Sequence, residues 1–378
     1  MEDICKRINI QNKVKKARAG AKPQYCLLCG KEIIHICNSH SVPRMVLDTI
    51  AENGMLYNKN KVAGIQYFKC EDGIKSTGTF HYICRECDSK EFIDYENPEN
   101  ILKKPTNLMM AEIAIKNLLL MISARKYERE LYQNDIQYLS FVNIQQMIKV
   151  NELDTRDYLD DLELYMKIKR EKLEYGFQIA YWTVLPYICP IAVQSTFTIY
   201  RDMNGALIND PYDLDDKKKN QSAHLCVFPF NGSTVILLFY HKRDKSYKSL
   251  WHQINSSSRE DVLKYINYLI FALADNYFFS KSISETVLND KAFVRLSREY
   301  LEHPNYGLPP INRNDEKYLS NKPVSADEIP MIFEEKYSIK ILNTRFFISH
   351  QEVKKLHGFF IACISWLSDV RFVYFNRE

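Results

Sequence analysis

The chain has 378 residues, 46% hydrophobic and 26% charged, enough for two or three buried cores and unlike a disordered or fibrous protein. A net charge of +4 excludes a uniformly basic nucleic-acid coat, so any basic surface must be local. With 11 Gly against 25 Tyr and 20 Phe, long flexible linkers are not expected. Residues 1–20 lack the apolar stretch of a signal peptide. The longest apolar runs, 235–240 and 359–367, are too short to span a bilayer. Four of the 10 cysteines fall in two pairs, and Cys5, Cys37, Cys70, Cys189, Cys226 and Cys363 are scattered. That is metal-site rather than disulfide usage, so the expectation is a reducing, cytoplasmic compartment and no membrane partner.

The chain opens with Lys6, Arg7, Lys13, Lys15, Lys16, Arg18 and Lys22 against Glu2 and Asp3. Such a run reads either as an arm contacting phosphates or as a solvated, partly ordered terminus. Cys26-Leu27-Leu28-Cys29-Gly30 follows, and Cys84-Arg85-Glu86-Cys87-Asp88 comes later, with 54 residues between Cys29 and Cys84. Two Cys-x-x-Cys pairs supply four thiolates to one tetrahedral Zn²⁺, and the closed Cys₄ set makes that zinc structural. The long spacing requires an inserted subdomain, and it contains Asn38-Ser39-His40-Ser41-Val42-Pro43. Within it, 43–51 reads as a short helix with proline in its first turn. Asn53-Gly54 reads as its stop, and 62–69 as a strand between turns at 58–61 and 72–73. His35, Cys37, Cys70 and His81 are further candidate ligands or plain packed residues, with His81 the best placed. Asp88 stands where the helix after the second pair would begin, either as its N-cap or as a metal ligand.

Cys-x-x-Cys, then His-x-x-Pro, then Cys-x-x-Cys with a polar residue opening a helix, resembles the HNH endonuclease family over residues 20–100. The resemblance implies a treble-clef, ββα-metal fold with a structural zinc. It also implies that His40 is the general base and that Asp88 binds a catalytic Mg²⁺ or Mn²⁺. DNA would be the partner, and a bacterial or phage defence setting fits. Two positions depart from the pattern. Ser39 replaces the usual acid before the histidine, and residues 77–83 lack the usual Asn. The alternative is therefore a catalytically inactive zinc module that binds nucleic acid or protein. In the nuclease reading, phosphates fall to Lys13, Lys15, Lys16, Arg18 and Arg44.

Beyond the second pair, Leu108, Ala111, Ile115, Leu118, Leu119 and Ile122 repeat at near 3.6 and predict a helix over 108–132. Further helices are expected at 141–150 and 151–174, the latter capped by Asp154. Asp157, Asp160, Asp161 and Glu163 read as a salt-bridged solvent face rather than a metal cluster. From 175 the pattern becomes β, with strands at 177–185 and 192–200 and a turn at 202–205. A hairpin of 225–230 and 234–241 is expected about Asn231-Gly232. A helix at 258–278 follows, then a loop-rich link, and an amphipathic helix at 349–367 carrying His350 and His357.

The expected architecture is α+β. A zinc module with its basic arm occupies 1–105, a helical connector 106–174, and an antiparallel sheet with helices 175–378. The last region offers no phosphate loop or nucleophile motif, and it could serve a protein partner or homo-oligomer.

Overall fold

A computed structural model describes residues 2–34, 37–63, 69–133, 144–210, 215, 217–219, 221–302 and 324–340. The described residues up to Ile339 belong to one compact unit. The expected helix at 349–367, with His350 and His357, lies outside the described residues, as do His35 and the Pro309-Pro310 link.

The architecture is mixed helix and antiparallel sheet. The first helix, α1 (Glu2–Gly20), packs on α5 (Asn107–Gln133), so the basic start of the chain is helical. Its contact side is thin. Ala17 is fully buried, whereas Ile4 and Ile8 are exposed. That weak apolar period is why the helix was not legible.

Two short strands, β1 (Ser39–His40) and β4 (Thr79–Phe80), pair antiparallel with Ser39 opposite Phe80 and His40 opposite Thr79. Helix α4 (Arg85–Lys90) follows the second cysteine pair. Between the two strands, α2 (Arg44–Ile50) starts after Pro43 and buries Val46, Leu47 and Ile50. Asn53 and Gly54, at φ 51° and 73°, turn the chain into β2 (Met55–Asn58). Where a strand was expected at 62–69, a short helix, α3 (Asn60–Ala63), stands, and 64–68 lie outside the described residues. The turn expected at 72–73 belongs to β3 (Glu71–Gly73), which pairs with β2.

Residues 144–170 form one helix, α6 (Ile144–Arg170), rather than two. Asp154 does not cap a second helix. It lies inside α6, with its carboxylate 3.2 Å from Arg125 Nη1 on α5. Lys172, at φ 49°, ends α6 in a left-handed turn that lets Leu173 N–H reach the Ile168 carbonyl.

The β region contains β5 (Phe177–Leu185), β6 (Ile191–Phe197), β7 (Ala223–Phe230) and β8 (Ser233–His241). Asn231 and Gly232, at φ 47° and 81°, make the two-residue turn whose twist matches the β7–β8 strands. After β8 come α7 (Lys248–Ser256) and α8 (Arg259–Leu273). The helix expected over 258–278 stops at Leu273, and β9 (Tyr277–Phe279) takes its last residues. Helices α9 (Glu285–Leu288) and α10 (Lys291–Glu302) complete the described elements before 324–340.

The long-range pairing is the main difference from the three-part expectation. One seven-stranded sheet runs β3-β2-β9-β6-β7-β8-β5, so strands from the insert between the cysteine pairs extend the sheet of the later region. Tyr57 pairs with Phe279 and Asn58 with Phe278, across more than half the chain. Both faces of this sheet are covered. Leu225, Val227, Ile236 and Leu238 face a core that includes Leu250 of α7, Ile266 and Ile270 of α8, and Phe293 of α10. Cys226, Phe228, Leu237 and Phe239 face the other core, with Ile115 and Leu118 of α5, Tyr165 of α6 and Leu47 of α2. Burial on both faces explains why β7 and β8 read as near-continuous apolar runs. Helix α5 is long and apolar enough to cross a membrane by length and composition. Its apolar side chains are buried in this core instead, and it carries the ion-paired Glu112 and Lys116.

Candidate metal centre

The first cysteine turn is shaped by its backbone. Cys26 N–H donates to the Lys31 carbonyl at 2.8 Å and Gly30 N–H to the Cys26 carbonyl at 2.8 Å. Gly30 sits at φ 70°, where a side chain would be strained. Leu27 N–H reaches the Tyr82 carbonyl at 3.0 Å and ties this turn to the second one. There Cys84 caps α4, its sulfur accepting from Cys87 N–H. The four sulfurs of Cys26, Cys29, Cys84 and Cys87 all lie within 4.8 Å of one another. Cys29 and Cys84 Sγ are 3.8 Å apart. A tetrahedral zinc with bonds of about 2.3 Å requires sulfurs about 3.8 Å apart, far beyond the roughly 2.05 Å of a disulfide.

The donor chemistry fits as well. Burial raises the Cys26 thiol, but N–H groups of Cys84, Cys29 and Leu28 outweigh it and bring the group down to about 7. Cys87 is pushed up by burial and by the three neighbouring sulfurs. Four crowded sulfurs are stabilised together as thiolates only by a cation between them. The group is able to hold one zinc ion, and among the described residues it is the only such cluster of His, Cys, Asp or Glu.

His40 and Asp88 lie beside this centre on different elements. The Ser39 hydroxyl donates to Asp88 Oδ1 at 2.5 Å, a short charge-assisted bond, and the Cys37 thiol to Oδ2 at 3.5 Å. Burial and the Asp88 charge push the Cys37 thiol up to about 11. Lys116 Nζ of α5 is 3.7 Å from Asp88 Oδ1 and also pairs with Glu96. That ammonium is only 2% exposed, over the Phe92 ring at 4.3 Å. Asp88 is therefore not the cap of α4, which is Cys84, but lies within the helix with its carboxylate in a partly buried ionic group.

His40 has a different partner. Its Nε2 lies 2.9 Å from the Ile74 carbonyl. A carbonyl only accepts, so Nε2 carries a proton, and in the neutral ring the lone pair is on Nδ1. Successive strand residues turn to opposite faces, and the contacts agree: Ser39 toward Asp88, His40 toward Ile74. The ribbon thus brings His40 and Asp88 to one end of the module without direct contact between them.

The other candidates separate. His81 Nδ1 meets the Cys37 carbonyl at 3.1 Å, and the Cys70 thiol meets the Asn60 carbonyl at 3.8 Å, so neither is placed among the zinc sulfurs. Lys15, Lys16 and Arg18 are exposed on α1, and Lys13 is half-buried. Arg44 is exposed at the start of α2, 3.6 Å from Asp48. The acidic stretch of α6 is not a solvent face throughout. Asp161 is buried between Lys219 and Arg243, and Asp157 is buried beside Arg156. Lys116, charged by type, is nonetheless buried. The signal that could have placed it inside is its setting among Ile113, Ala114, Ile115, Leu118 and Leu119.

Compared with known proteins, the chain matches no family model, no curated protein and no solved structure.

Proposed function

We propose that residues 20–100 are an HNH-like, treble-clef module and that the chain is a divalent-metal-dependent nuclease acting on DNA. The observation that carries this reading is the state of His40. With Nε2 donating to the Ile74 carbonyl, Nδ1 is the ring nitrogen left to take a proton from water. Asp88 with Ser39 would hold a Mg²⁺ or Mn²⁺ ion, which takes one or two carboxylates and completes its shell with water and phosphate oxygens. Such an ion would supply charge stabilisation at the scissile phosphate. The zinc would fix the ribbon against α4, and the exposed Lys15, Lys16, Arg18 and Arg44 would hold the backbone of the DNA, with Lys13 beside them.

His40→Ala tests this on plasmid and oligonucleotide substrates. Loss of the base should cost about 10² to 10⁴ in rate while zinc content stays at one per chain. Unchanged cleavage by the variant would remove His40 from the chemistry.

A second reading is favoured by Lys116. Its buried ammonium stands at the carboxylate where a divalent ion would bind, and His40 faces the other side of the ribbon. In that reading the module binds nucleic acid or protein without cleaving it. Lys116→Met separates the two. If the ammonium excludes the ion, Mn²⁺ affinity should rise in the variant, and a wild type that neither binds Mn²⁺ nor cleaves establishes the binding module.

A further inference from the structure

The segment that follows His40 is held from the far end of the chain. Asn276, immediately before β9, donates from Nδ2 to Ser41 Oγ at 2.8 Å and to the Gln194 carbonyl at 2.6 Å. The Gln194 carbonyl only accepts, which fixes the amide orientation and commits one N–H to each partner. Both Asn276 and Ser41 are buried, so neither bond is exchanged with water. Ser41 N–H in turn donates to the Gly78 carbonyl at 2.8 Å, across the β1–β4 ribbon. Gly78 has φ +58°, and a Cβ there would come within 2.6 Å of Ser41 Oγ and 2.9 Å of the Phe278 ring. Ser41 is thus gripped by Gly78 on one side and by the residues about β9 on the other. His40 is the residue between this grip and the Ser39–Asp88 bond.

We propose that Asn276 is a positioning residue for His40, acting through Ser41 to hold the imidazole on the Ile74 carbonyl. The proposal rests on the reading of His40 as the working base and adds a contribution from the later half of the chain. The amide does what no isostere does. An Asp at 276 has the same size but cannot donate to the Gln194 carbonyl, so Asn276→Asp should behave like Asn276→Ala. Without the grip, the His40 ring leaves the carbonyl, and the proton is shared between its two nitrogens.

The test uses the full, zinc-loaded chain labelled at histidine, with the His40 signals assigned by His40→Gln. Nitrogen and carbon NMR of the wild type should show one Nε2–H tautomer at His40. Ser41→Ala, which removes only a hydroxyl, and Asn276→Ala should each move His40 toward a mixed tautomer, and the double variant should move it no further. His224 and His241 should keep their signals, and zinc should remain at one per chain. Where cleavage is measurable, each variant should lose about 10²-fold in kcat with little change in KM, as a misplaced base does. If the Asn276 variants fail to fold, Ser41→Ala alone decides. Unchanged His40 signals in Ser41→Ala would overturn the proposal. A tautomer shift in a wild-type background that never cleaves DNA would uphold the positioning role and refute the nuclease reading instead.

Discussion

Removing the zinc should loosen the cysteine-bearing segments and leave the large sheet folded. Neither segment is self-supporting. The first is a turn of a few hydrogen bonds, and the second is the start of the six-residue helix α4, too short to persist alone. A metal held by the four sulfurs would also close a loop of 54 residues between Cys29 and Cys84. By the chain-entropy relation for a cross-link, that closure is worth about 4 kcal/mol to the folded module. The zinc–thiolate bonds themselves contribute more, on the order of 10 kcal/mol in isolated finger peptides near neutral pH. The middle of the sheet does not depend on them alone, because the core on its other face, with α7, α8 and α10, holds no residue of either cysteine turn. The assay is metal analysis followed by hydrogen exchange with and without a strong chelator. One zinc per chain is expected. After chelation, amides near residues 24–33 and 82–91 should exchange at least 10²-fold faster, while those of β7 and β8 keep their protection. Cys84→Ser should give the same pattern without chelator. A protein without zinc, or equal loss of protection in β7 and β8, would refute the reasoning.

Charge on α1 should matter to nucleic-acid binding. Lys15→Gln with Lys16→Gln should weaken it and lower the salt slope by about 2, since each lost phosphate contact removes about 0.9 from that slope. Filter binding across a salt series checks this, and an unchanged slope would assign the helix to packing alone. Stability should also fall below neutral pH. Burial drives the His224 imidazole down to about 3, and burial with Lys219 and Lys245 takes His241 to about 4. Their folded values lie below those of the unfolded chain, so the stabilisation is present above pH 6.5 and lost as pH falls. His224 alone should account for about 1.4 kcal/mol between pH 7.5 and 5.5. Urea unfolding at the two pH values measures it, and His224→Gln should reduce the difference by about that amount while the share of His241 remains.

What was legible in the sequence was local. The cysteine pairs, the Pro43 helix start and the Asn231-Gly232 turn each depend on a few adjacent residues, and each is found where expected. Pairing across long separations leaves no such trace. Nothing in residues 55–58 announces a partner at 277–279, and residues 277–278 read as the tail of a helix because α8 ends in an apolar run. Charged residues misled in the same way. Lys116 and Asp161 look like surface positions by type, and only the opposite charges brought to them by Glu96, Lys219 and Arg243 allow them to be buried.

The sheet join also settles how a distant change would reach the candidate site. Successive residues of β9 feed different cores. Tyr277 and Phe279 pack with α8 and α10, whereas Phe278 packs with the zinc-side core and lies against Gly78. Cores are close-packed, so a shift of β9 driven from α8 is passed on rather than absorbed. Its route runs through Asn276 and Phe278 to Ser41 and Gly78, and so to His40. Asp88 has a different support, because Lys116 and the Glu112 carboxylate that accepts from Asp94 and Tyr95 N–H both belong to α5. His40 and Asp88 are therefore held by separate elements. A substitution on β9 should disturb His40 before Asp88, and one on α5 the reverse, with the zinc sulfurs unmoved in both.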